Sequence, residues 1–85
     1  MLRARVIGNV WSSRRLEEVP NGAFLEVEAE GGSHLVAFDV LGTGVGETVL
    51  VATGSVASGW FPNHSTPPID ALIIGIVDEG STTNG

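Results

Sequence analysis

Between Asp39 and Val51 the chain ends an apolar run in an acid, places glycines at 42, 44 and 46, closes the turn with Glu47 and starts a β-branched run. Glycines at alternate positions suit a backbone that wraps closely around something or is itself closely packed. Which of the two applies decides the function. A phosphate cradle of the Walker A type needs a glycine five residues before Gly46 and a lysine after it, but Leu41 and Glu47 stand there. The dinucleotide fingerprint fails at the same place, because Glu47 occupies the position of its third glycine, and no helix pattern follows. The better reading is a tight strand-to-strand loop. Gly42 and Gly46 serve as turn residues in it, Gly44 packs against a neighbour, and Asp39 and Glu47 accept backbone N–H bonds across it.

The segments around this loop read as short strands. Residues 2–11 alternate, with Leu2, Ala4, Val6, Gly8 and Val10 on the inward face and Arg3, Arg5, Ile7, Asn9 and Trp11 outward. Pro20-Asn21-Gly22 is a turn signal. Residues 23–29 resume the alternation, with Leu25, Val27 and Ala29 inward and Phe24, Glu26 and Glu28 outward, and pair as a hairpin with 35–38. Residues 49–52 and 72–77 are apolar at both parities, as in strands covered on two faces. No amphipathic helix of useful length is present to supply the second cover. Barrel closure on one side and another copy of the protein on the other would supply it. Residues 54–58 fit one helical turn with Ser55 as N-cap, and 59–68 an extended loop. The expected fold is all-β: a small five-stranded OB-like β-barrel with one short helical turn. The domain is expected over 1–79, with a disordered tail at 80–85.

The totals limit the function classes. An 85-residue chain buries only roughly 60–65% of the surface its unfolded form exposes, and it has no cysteine for disulfides or thiolate metal sites. Association is the expected source of extra stability. With 10 acids, 4 arginines and no lysine, the net charge of −6 argues against general nucleic-acid binding. The N-terminus lacks the apolar core of a signal peptide, and no stretch approaches the roughly 20 apolar residues of a membrane span. The chain therefore reads as cytoplasmic, without membrane partners, and Asn63-His64-Ser65 as a chance match to the glycosylation pattern. Ser55, His64 and Asp70 supply the residue types of a hydrolytic triad without a nucleophile elbow. His34 and His64 lack the spacing of a zinc site. No catalytic residue, cofactor or metal is expected. Trp60 and Phe61 read as contact residues or as a cap on the barrel end.

Taken together, these residues resemble the EutN/CcmL family, the pentameric vertex proteins of bacterial microcompartment shells. The likeness runs through Arg5 to Ser13, Val36 to Asp39 leading into Gly42-Thr43-Gly44-Val45-Gly46-Glu47 and Val49 to Val51, Gly54 to Ala57, and Pro68 to Asp78. Thr43 stands where the family usually has alanine, and Ser58 where it commonly has arginine, which removes one inter-subunit ion pair. The resemblance implies a structural protein forming a cyclic homopentamer at the corners of a carboxysome-like icosahedral shell, beside hexameric facet proteins. Gly42, Thr43, Gly44, Val45 and Gly46 are then expected near the symmetry axis or a subunit seam, with Thr43 lending a hydroxyl to any opening there. Leu72, Ile74, Ile76, Trp60 and Phe61 are expected at the subunit interface. The rival reading, an OB-fold module binding single-stranded RNA, has four arginines and no tyrosine to work with.

Overall fold

The computed structural model describes residues 1–61 and 67–78. Five strands follow one another as β1 (Leu2–Val10), β2 (Ala23–Ala29), β3 (His34–Asp39), β4 (Thr48–Thr53) and β5 (Ala71–Val77), with a single helical turn α1 (Ser55–Ser58) between the last two. They close into a barrel in the order β1-β2-β3-β5-β4. All pairings are antiparallel except β3 with β5, which run parallel and meet at Phe38 and Leu72. The expected strands and hairpin are all present. The proposed tail and the loop histidine His64 lie outside the described residues.

The barrel interior holds Ala4, Val6, Leu25, Val27, Ala37, Val49, Val51, Ala71 and Ile73. The even-inward alternation of β1 holds at Ala4 and Val6 and then fails. The register with β2 slips between Val6 and Gly8, so Ile7 sits in a bulge. One extra residue reverses the faces beyond it, and Val10 pairs with Phe24 on the outer side instead of Leu25 on the inner. β2 keeps its alternation throughout: Leu25, Val27 and Ala29 are buried, and Glu26 and Glu28 face outward.

A second cluster, Phe38, Ala57, Phe61, Ile69 and Leu72, packs on the opposite face of β5. Leu72 belongs to it while its neighbours Ala71 and Ile73 belong to the interior, as strand alternation requires. Phe38 stacks edge-on with Phe24 at 5.1 Å and with Phe61 at 5.9 Å between ring centroids. The second cover expected from another copy is thus supplied, over this part of β5, by α1 and its flanking loops. Two-sided apolar strands do not require a partner where a short connection carries Ala57, Phe61 and Ile69 back over them.

Two local details anchor the long connections. Gly22 enters β2 against Phe38, where a Cβ would lie 2.5 Å from the ring, so only glycine fits. Arg15 reaches across the preceding loop, donating to the Gly22 carbonyl at 2.7 Å and lying 5.0 Å over the Phe24 ring. The turn into α1 is capped by Gly54 and not by Ser55. Its φ of 69° is a left-handed conformation, and no side chain bonds the helix start.

Candidate functional site

The loop after β3 is built around one carboxylate. Asp39 is buried at the end of its strand. Its Oδ1 accepts from the Leu41 N–H at 3.2 Å and the Thr43 hydroxyl at 2.8 Å, and its Oδ2 from the Gly42 and Thr43 N–H groups at 3.0 and 2.8 Å. An ionised carboxyl is an acceptor with several lone-pair sites, so one aspartate satisfies a whole turn of backbone donors that otherwise lack strand partners. Glu47 repeats the device on a smaller scale, accepting the Gly44 N–H at 2.7 Å. Gly42 and Gly46 take φ of 79° and 94°, values that disfavour a side chain. Gly44 has no positive φ, and a Cβ there would meet Glu47 Oε1 at 3.5 Å, an ordinary contact. Within one subunit, then, nothing demands glycine at 44.

Thr43 is buried and turns its hydroxyl to Asp39. It therefore fastens the loop from inside, and the hydroxyl is not offered to an opening. Of the five residues 42–46, Gly42, Gly44, Val45 and Gly46 are exposed. Its far end docks on β1: the Gly46 N–H donates to the Val6 carbonyl at 2.8 Å, and the Val6 N–H donates to the Glu47 carbonyl at 3.0 Å. The loop thus crosses the end of the barrel from β3 to β1, and Val45 arrives next to the bulge at Ile7.

The five residues expected at a subunit interface fall into two groups. Leu72 and Phe61 are 2% and 5% exposed, members of the second core cluster with almost no surface left for a partner. They are part of the fold. Trp60, Ile74 and Ile76 are 53%, 44% and 40% exposed. The single parity assigned to β5 breaks because Ile74 sits in a bulge: Leu50 pairs with Gly75 and Val51 with Ile73. Ile76 then falls opposite Val49 at the end of the strand. Two exposed side chains that went unassigned in the sequence, Val40 and Leu41, join Trp60 and Ile74 around a small cleft floored by Leu72 and Ile73. The signal was present as two apolar residues following Asp39, where a loop ordinarily carries polar ones.

Two of the described residues weighed for chemistry come together. Ser55 and Asp70 border one shallow surface hollow beside α1. His34 is half-exposed at the start of β3, its Nδ1 3.2 Å from Glu26 and its Nε2 3.5 Å from Glu28. It serves as a surface tie across the hairpin.

A model of the family described as ethanolamine utilisation protein EutN/carboxysome matches residues 1–78. The chain belongs to the EutN/CcmL family. Among its members, the carboxysome shell vertex protein CcmL of Thermosynechococcus vestitus is 37% identical over 95% of this chain and 87% of its own length. The bacterial microcompartment shell vertex protein GrpN of Rhodospirillum rubrum is 36% identical over 99% of this chain and all of its own. Among solved EutN/CcmL structures, the pentameric shell protein MSM0273 from the RMM microcompartment superposes with a TM-score of 0.87. It is 69% identical, and the match covers 93% of this chain and 92% of that one.

Proposed function

We propose that this chain is a structural protein whose pentamers cap the fivefold vertices of an icosahedral bacterial microcompartment shell. The observation that carries the reading is the likeness, over nearly the full length of both chains, to a shell protein that is itself pentameric. The physics of the barrel agrees with it. A chain this small and free of cysteine gains from association, and four of its exposed apolar side chains, Val40, Leu41, Trp60 and Ile74, line one cleft. Each such side chain, about half exposed, gains roughly 1 kcal/mol on complete burial. In a closed ring every subunit makes two such contacts, so removing one subunit breaks both.

The role is architectural: the Asp39 loop uses its carboxylates to hold backbone. Gly42, Gly44, Val45 and Gly46 form the loop surface at a subunit seam or near the axis. Trp60, Ile74 and Ile76 provide interface, with Leu72 and Phe61 supporting them from beneath. The outer rim of the pentamer meets the hexameric proteins of the shell facets. For RNA binding the described residues offer little, since Arg15 is engaged with Gly22 and Phe24 and is not presented along a groove.

The test is to assemble shells from the cognate shell proteins with and without this chain, carrying a small electron-dense label. Label confined to particle corners, and leaky particles when the chain is omitted, are expected. Label spread over the facets or through the lumen would contradict the reading.

A further inference from the structure

We infer that the pentamer closes by a head-to-tail contact in which the Val45–Ile7 surface of one subunit seats in the Val40–Leu41–Trp60–Ile74 cleft of the next. The inference rests on the pentameric reading above and specifies which surfaces make the ring. Cyclic closure of identical chains requires two different, mutually complementary patches on each copy. Among the exposed apolar side chains of the described residues, two groups stand at the two ends of the Asp39–Glu47 loop.

At the β3 end, Val40 and Leu41 emerge beside β5 and build the rim of the cleft with Trp60 and Ile74. Its volume of about 80 Å³ is far below the roughly 300 Å³ and more of a metabolite site. It has the scale of an inserted side chain. At the β1 end, the paired bonds between Val6 and the Gly46–Glu47 segment bring the backbone at Val45–Gly46 beside that of Val6–Ile7, where β1 bulges. Val45 is 61% exposed and Ile7 is 37% exposed, so both leave apolar surface open in the subunit.

The placement suits a ring. In the strand order β1-β2-β3-β5-β4, β1 is separated from β3 by β2 and from β5 by β4. The Val45–Ile7 patch therefore lies across the barrel from the β3–β5 seam that bears the cleft, and each subunit can give one and receive the other. Both patches are also held in place before association, the cleft rim by the Asp39 carboxylate and the other patch by the β1 bonds. Little ordering remains to oppose binding. A second copy is the occupant, because both halves of the contact stand on the same chain.

The chain contains no cysteine, so engineered pairs report without background. Under mild oxidation the double variant Ile74→Cys/Val45→Cys is expected to give a ladder from dimer to pentamer on a non-reducing denaturing gel. The ladder should collapse on reduction, while each single variant stays monomeric. Leu41→Cys/Ile7→Cys tests the same contact independently. A native mass of five chains with neither pair cross-linking would overturn the inference and leave the ring standing. Dimers from a single variant would show a twofold contact and overturn it as well. If the unsubstituted chain forms no ring, the inference falls together with the pentameric reading.

Discussion

Asp39 is the residue on which the loop geometry depends. Its four accepted bonds come from groups that have no other partner in the turn, and hydrogen bonds to a charged acceptor are worth about 1.5–3 kcal/mol each when tested singly. Asp39→Asn keeps the shape but replaces one acceptor oxygen by a donor facing N–H groups. It is expected to cost about 2–3 kcal/mol in urea unfolding at matched protein concentration, with Thr43→Val costing about 1 kcal/mol for its single hydroxyl bond. Unfolding curves that superimpose with the parent for Asp39→Asn would show that the loop is held by something else. The glycines separate by the same logic. Gly42→Ala and Gly46→Ala meet positive φ and should each lose about 1 kcal/mol of stability. Gly44→Ala meets no such barrier in the subunit. A loss of assembly by Gly44→Ala without a loss of subunit stability would place a neighbouring copy against this residue.

At the scale of elements, the period-two alternation made β2 legible down to each side chain, because a strand with one wet face writes that face in acids. The same rule misassigned the end of β1, and β5 is interrupted by a bulge as well. A bulge adds one residue without breaking the apolar run, and its local trace is an isolated glycine directly after each bulged residue, Gly8 after Ile7 and Gly75 after Ile74, which a plain alternation count passes over. Leu72 and Phe61 were misplaced for a different reason. Their burial depends on a cluster that includes Phe38, 23 positions before Phe61 and 34 before Leu72, which local pattern cannot show. Asp39 and its glycines were readable because the loop is a local structure that closes on itself. The division of β5 predicts two kinds of mutant. Leu72→Ala should destabilise the subunit by about 2–4 kcal/mol as a core truncation. Trp60→Ala and Ile74→Asp should leave the barrel's circular dichroism unchanged and shift the protein to smaller species in analytical ultracentrifugation. If Trp60→Ala and Ile74→Asp sediment as the parent does, the cleft is not an interface.

At the scale of the molecule, the barrel solves its own edges by closing, and its outer surface is left to meet other subunits. Its two bulged strands and the loop between β3 and β4 place apolar side chains outside the core, where a monomer gains nothing from them. A fivefold ring accounts for these surfaces without invoking a ligand or a reaction. Its most direct measurement is native mass spectrometry of the unmodified chain at micromolar concentration. A dominant species of five chains, persisting on dilution to the low-micromolar range, is the predicted result. A spectrum containing only monomers or dimers would contradict the account.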